Sequence, residues 1–534
     1  MHHVRARRHW ILSLTVAAGA LAALAAAAAE PPAGEKKPPV LELDEKPAFP
    51  LPAHLEQRDI AAGKMEARKL VEAGGDLFHT VYNGLDGVGM LRTVGGKPLH
   101  RFSIGVAGGG QPIAVGAQSC GGCHGKPFAA GAGAAHTQVV FDDDGDGEPP
   151  FRFRSTTSTF GNGLLQLLAQ EMTEELHAAR ERAVAAAKLR PGVAAREPLH
   201  AKGVDFGVLA ATADAAGAVS FDLTGVVGVD PDLVVRPFGW KGNVTTLRAF
   251  QVFPATFGMG MMAEEFVWRL PPEAQPDPDG DGVTRELSVG DITAMTLYNA
   301  AQETPESVER LAAQGLVAAP AAEDLARVAR GREVFARVGC ASCHAPEMRL
   351  ANAVYEEPTK RGGGAYLDPF LAGKDPDYDP ARPARLDLAA EGDPPRVEPH
   401  PAGGYVVRLH GDLKRHRMGR HLADEPGPQP PLTAALAPLE IDGKMALIQP
   451  DEFLTAELWG VGNTQPYLHD GRAGSLAEAI LLHGEDAPLA KGEAGRSEAQ
   501  EARDAFKALT AEEQRAVVSF LKSLVNFEVE ERSR

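Results

Sequence analysis

The only four cysteines of this chain fall as two copies of one pentapeptide, Cys120-Gly-Gly-Cys123-His124 and Cys340-Ala-Ser-Cys343-His344. Cys-x-x-Cys-His is the spacing at which two thiols reach the two vinyl groups of a haem while the adjoining imidazole ligates its iron. Two Cys-x-x-Cys pairs also suit a shared structural zinc, and a single pair suits a redox dithiol. Neither use requires a histidine after each second cysteine. The repeated motif therefore predicts two covalently bound haem c groups and redox chemistry. A porphyrin also fills core volume, so a 534-residue chain with 58 Gly and 41 Pro can stay loop-rich and still close around its cofactors.

The N-terminus agrees with that chemistry. Arg5, Arg7 and Arg8 precede an apolar run from Trp10 to Ala29, ending in an Ala-x-Ala-like site near Ala27 to Ala29. Residues 1–29 thus read as a secretory signal, and the expected location is the periplasm, where the protein is soluble once the signal is cleaved. An uncleaved membrane anchor is the alternative. Loss of the three arginines takes the formal charge from -18 to -21. So acidic a surface repels phosphate backbones, which argues against nucleic acid and leaves a small redox protein, a cytochrome c or a cupredoxin, as the expected electron partner.

Along the chain, residues 30–75 read as a Pro-rich arm and a first helix. Residues 76–319 form an N-terminal haem domain with a strand-bearing insertion over about 200–236, and the Ala- and Pro-rich stretch at 317–322 marks a boundary. Residues 320–534 read as a cytochrome c domain with a loop-rich insertion over about 352–438. Its first helix carries Gly331-x-x-Val334-Phe335 just before Cys340. Its last opens on the capping box Thr510-Ala-Glu-Glu513 and continues in the stripe Val517, Val518, Leu521 and Leu524. The expected fold class is mainly α: two cytochrome c-like haem domains with loop-rich insertions and a few short strands. An internal echo supports two related halves, since Trp240-Lys-Gly242-Asn-Val-Thr-Thr-Leu247 matches His469-Asp-Gly471-Arg-Ala-Gly-Ser-Leu476 at the glycine, the hydroxyl residue and the leucine.

The segment Tyr467-Leu-His469-Asp-Gly-Arg472-Ala-Gly-Ser-Leu476-x-Glu478-Ala-Ile, followed by the terminal helix, resembles the C-terminal signature of the bacterial dihaem cytochrome c peroxidase and MauG superfamily. The context of the first haem motif and Phe238-Gly-Trp240-Lys241 are most similar to its branch of dihaem oxidoreductases, the thiol oxidoreductase-like group. The likeness spans roughly residues 76–528. It implies a peroxidase-like oxidoreductase whose C-terminal haem passes electrons and whose N-terminal haem reacts with substrate. The alternative is a non-catalytic electron carrier with both haems six-coordinate.

His124 and His344 are the expected proximal ligands. The resemblance places a Met, Tyr or His about a dozen residues past His-Asp-Gly as sixth ligand of the C-terminal haem, which points to His483, with Met418 and Met445 as thioether alternatives. His136, on a Gly/Ala loop after His124, is the distal candidate at the N-terminal haem. Peroxidases of the superfamily carry Trp-Asp-Gly-Arg and a catalytic Glu just after the Leu, whereas Lys241 replaces that Asp here and Arg248 and Ala249 follow Leu247. Glu171, Glu264 and Glu265 are the substitute acid–base candidates, and Trp240 is the candidate on the electron path. Asp277, Asp279 and Asp281 with Gly282 follow the first half of a calcium-binding loop, but the twelfth position is Ser288 rather than Glu, with Glu286 nearby. Asp142, Asp144 and Asp146 form a weaker loop of the same kind.

Overall fold

A computed structural model describes residues 53–88, 106–108, 117–134, 139–142, 152–272, 275–278, 282–389, 397–424, 427–493 and 495–527. Its organising feature is one helix crossing made twice. Helix α1 (Ala67–His79) crosses a helix over Val289–Ala300 at Gly74, and a helix over Ala322–Arg337 crosses one over Ala511–Lys522 at Gly331. A Cβ on Gly74 would run into the carbonyl of Ala294, and one on Gly331 into that of Ala516. Only glycine lets either backbone pair approach so closely. One turn on, the aromatic pairs Phe78–Tyr298 and Phe335–Phe520 pack at ring separations of 5.2 and 5.4 Å. Both closing helices start from a capping box, Ser288 with Asp291 and Thr510 with Glu513.

The echo in the sequence is an echo in the backbone. A bridge joins Phe238 to Val244 in the first copy and Tyr467 to Ala473 in the second. The turn between takes positive φ at matching points, 77° at Gly239 and 73° at Leu468, then 56° at Gly242 and 69° at Gly471. Thr246 then caps Leu247–Pro254 and Ser475 caps Leu476–Leu481, each hydroxyl accepting an amide three residues on.

Helix α2 (Asn162–Leu189) joins the halves. Its first twelve residues, Asn162 to Thr173, are all buried. Leu165, Leu168 and Met172 share one core with Tyr355, Leu386, Val407 and Trp459 of the C-terminal half. Strands β1 (Ala195–Ala201), β2 (Val204–Ala213) and β3 (Val219–Asp222) form an antiparallel sheet with β2 in the centre, and its Leu199, Phe206 and Leu209 enter that same core.

The mainly α expectation is overturned: 34% of the structure is helix and 16% strand, spread over several small sheets. The cause lies in the insertions, where segments expected to be irregular pair as ladders two to four residues long, such as Val354–Glu357 with Ala384–Asp387 and Arg415–Arg417 with Glu452–Leu454. Buried loop backbone must find hydrogen-bond partners, and short ladders supply them. Among the described residues no helix is long and apolar enough to cross a membrane.

Candidate haem sites

Each Cys-x-x-Cys-His closes into a single helical turn, with the amides of His124 and His344 donating to the carbonyls of Cys120 and Cys340 at 3.0 Å. The turn puts both thiols of a motif on one side, and all four cysteines are free thiols. The doubled crossing delivers a ring to each motif: Phe78 lies 5.7 Å from His124 and Phe335 lies 6.2 Å from His344.

The N-terminal motif is embedded in apolar side chains. Cys120 packs against a cluster that holds Tyr82, Val252, Met259, Met261 and Met295. Its sulfur lies 3.9 Å from the Met259 sulfur and 3.8 Å from Gln251 Nε2. Burial pushes the Cys120 thiol up to about 12 and the Cys340 thiol up to about 11. Cys340 packs beside a second cluster with Val334, Leu476, Val517 and Leu521. Half-buried thiols on apolar walls suit thioether attachment to a porphyrin.

Both motif histidines are anchored by backbone carbonyls. His124 donates from Nδ1 to the Gly131 carbonyl at 3.1 Å, and His344 to the His410 carbonyl at 3.1 Å. A carbonyl only accepts, so the His344 Nδ1 carries the proton and its Nε2 keeps its lone pair, while His124 is bonded by the backbone of Thr157 as well as by Gly131. Burial pushes both rings down to about 4, neutral under ordinary conditions. His483 repeats the arrangement, with Nδ1 at 2.7 Å from the Ala479 carbonyl and its own basicity lowered by burial. Its ring centre is 6.4 Å from that of His344. An iron with a nitrogen at about 2 Å on either side separates two imidazole centres by roughly 6 Å. The residues present therefore fit a haem iron held between His344 and His483.

The other sequence candidates are placed differently. Met445 sits in the small hairpin Glu440–Ile441 with Lys444–Met445, and the Met418 amide donates to the Asp451 carbonyl at 2.7 Å. His136, Asp144, Asp146, Asp279 and Asp281 lie outside the described residues, as does the side chain of Asp142. Asp277 accepts the Gly282 amide at 3.0 Å. Ser288, the twelfth position of that loop, serves as a helix cap, and Glu286 turns inward to accept the Met262 amide at 2.6 Å.

All three acid–base candidates stand in ion pairs. Glu171 meets Lys202 at 2.5 Å and accepts the Ala351 amide, tying the β1–β2 turn to the C-terminal half. Glu264 meets Arg285 at 3.3 Å. Glu265 is buried against Arg248 at 2.5 Å, and the same guanidinium reaches Glu357 at 3.2 Å. Burial pushes both of these carboxyls up, against the pull of Arg248.

Lys241 and Trp240 lie where the two halves meet. The Lys241 ammonium donates to the carbonyls of Gln449, Pro450 and Glu452, sits 3.7 Å above the Phe453 ring and lies 3.1 Å from Asp424. Arg154 grips Asp424 with two bonds of 2.9 and 2.7 Å, and His469 stands 3.6 Å from it. Trp240 donates to the Ser155 carbonyl at 2.8 Å, while the Ser155 amide donates to the carbonyl of His469. The two echoed turns thus pack on each other around Asp424, a residue with no signal in the sequence. A further cluster escaped sequence reading: His416 is bridged by Asp412 at 2.8 Å and Glu498 at 2.7 Å, with the Cys343 sulfur 3.8 Å away.

Residues 440–524 match the family described as "Di-haem oxidoreductase, putative peroxidase". No curated protein matches. Among solved structures, a MauG-like protein associated with microbial copper homeostasis is similar at 16% identity over 59% of this chain and 78% of its own, with a TM-score of 0.27. The family match covers both the Tyr467-Leu-His469-Asp-Gly-Arg472 signature and His483, so the chain's resemblance to the dihaem cytochrome c peroxidase and MauG superfamily stands, and the cofactor that family implies is haem.

Proposed function

We propose that this chain is a c-type dihaem oxidoreductase of the periplasm, exported by the basic and apolar segment at residues 1–29. One observation carries the reading: His344 and His483 stand 6.4 Å apart, each with Nδ1 committed to a carbonyl and Nε2 free. Haem, when bound, supplies the one-electron redox chemistry. Cys120 with Cys123 and Cys340 with Cys343 would each hold a haem through thioethers, with His124 and His344 as the nitrogen donors to the irons. His483 would supply a second nitrogen donor at the C-terminal site and keep small molecules off its metal, which suits that site to electron transfer. Substrate chemistry then belongs to the N-terminal site, beside Cys120, Met259 and Gln251. A small redox protein exchanges electrons with the C-terminal site.

A second reading has its own support. With Glu171, Glu264 and Glu265 all ion-paired, no carboxylate named for proton transfer is unengaged, and this favours a carrier with two six-coordinate haems. Carbon monoxide added to the fully reduced, haem-loaded protein separates the two. The enzyme reading expects one of two haems to bind it. Uptake by neither establishes the carrier, and uptake by both removes His483 as a ligand.

A further inference from the structure

We propose that the turn at residues 449–452 is a site for a monovalent cation the size of potassium, filled in this protein by its own Lys241 ammonium. The carbonyls of Gln449, Pro450 and Glu452 converge on one point, 3.2, 2.6 and 2.9 Å from Lys241 Nζ. A carboxylate oxygen of Asp424 lies 3.1 Å from the same nitrogen, and the Phe453 ring closes another side at 3.7 Å. The turn is tied so as to keep its carbonyls together. The Glu452 amide donates to the Gln449 carbonyl at 3.1 Å, the Gln449 amide to the Glu452 carboxylate at 2.8 Å, and the Asp424 amide to the Pro450 carbonyl at 3.0 Å. The lysine side chain is 2% exposed, so these oxygens stand where its water shell would be.

Backbone carbonyls are hard, uncharged oxygen donors, the kind that replaces the hydration shell of a bare cation. The span of this cage selects the ion. Its contacts of 2.6–3.2 Å to oxygen are longer than the roughly 2.3–2.6 Å of calcium or the roughly 2.0–2.1 Å of magnesium. They suit an ammonium or a potassium ion, which are similar in radius. Charge makes the same selection. Arg154 already pairs with Asp424 through bonds of 2.9 and 2.7 Å, so a divalent ion would find its second charge poorly neutralised. His469, 3.6 Å from Asp424 and pushed down to about 4 by burial, adds no charge. Lys241 comes from the N-terminal half and the cage from the C-terminal half. A cation tethered to one half is present at the other at high effective concentration, whereas a free ion must be captured and can be lost. The lysine thus makes a permanent link of what would otherwise be an exchangeable one.

Thermal unfolding of the haem-loaded full chain tests this. Wild type should unfold at the same temperature in potassium, sodium or calcium chloride at equal ionic strength, because its site is filled. Lys241→Met keeps an apolar stem but leaves the cage without a cation, and in sodium chloride it should unfold roughly 5–10 °C lower. Potassium chloride should raise the unfolding temperature of that variant, with saturation, above its value in sodium or calcium chloride. Lys241→Ala vacates the stem as well, so n-butylammonium chloride, which supplies both stem and charge, should raise its unfolding temperature and leave that of wild type unchanged. Unfolding temperatures in both variants that are the same in every salt overturn the proposal. So does a larger gain from calcium than from potassium in Lys241→Met, or a wild type that itself gains from potassium over sodium.

Discussion

The imidazoles of His344 and His483 stand 6.4 Å apart, and each donates a hydrogen bond from Nδ1 to a backbone carbonyl. Two such rings are prepared to grip one iron, and removing one has a defined spectroscopic result. In His483→Ala the reduced protein should bind one more equivalent of carbon monoxide than wild type. In His483→Met the C-terminal haem should stay six-coordinate with a higher midpoint potential, because His/Met ligation favours the reduced iron. Redox titration and carbon monoxide difference spectra check both.

Asp424 ties the halves together through a charge whose value depends on pH. Burial alone would push its carboxyl up, but the paired bonds from Arg154 and the nearby Lys241 ammonium bring it down to about 2. A carboxyl held below its unfolded value adds stability above the ordinary Asp range near pH 4, about 2 kcal/mol here, and loses it as pH falls towards 2. Wild type should therefore lose stability over that window in urea titrations. Asp424→Asn should be less stable at neutral pH and should show a flatter dependence over the same window.

Arg248 occupies the place where the resemblance calls for a glutamate, and it pairs with two buried ones. Arg248→Met should cost about 3–5 kcal/mol by leaving Glu265 and Glu357 unpaired in the core. Adding Glu265→Gln and Glu357→Gln to that variant should recover most of the loss. Chemical denaturation of the single and triple variants measures both effects.

Gly331 and Gly74 sit where two helix backbones touch. Gly331→Ala and Gly74→Ala should each cost about 1–3 kcal/mol, because the added methyl meets the carbonyl of Ala516 or Ala294 and a helix must move. Gly373, in the short helix Pro369–Lys374, has nothing within 4 Å of its Cβ position. Gly373→Ala should be neutral or stabilising, by up to about 1 kcal/mol, since alanine is the better helix former. Equal losses at all three sites in denaturant titrations would show that the close crossings are not the cause.

Much of the candidate site is readable along the chain because its signals are local. The two haem pentapeptides, the Thr510–Glu513 capping box and the echoed turns each lie within about ten residues of sequence. The equivalence of α1 to the helix before Cys340 is harder to see. Phe335 stands five residues before its motif and Phe78 stands 42 before its own, so an insertion conceals the same geometry. Ser288 misleads as a failed calcium position because its real work is a hydroxyl cap on the next helix.

The sequence by itself determined where the two Cys-x-x-Cys-His turns fall and that two related turns repeat, because a single helical turn and its capping depend on residues a few positions apart. Tertiary structure alone decided what surrounds them. It brought His483 to His344, gathered Arg154, Lys241 and His469 around Asp424, set Arg248 between two glutamates and laid Trp459 on Gly161. It also turned expected loops into short ladders. Each of these outcomes joins residues far apart in the chain, and burial, by stripping water from polar groups, dictates which of them must meet.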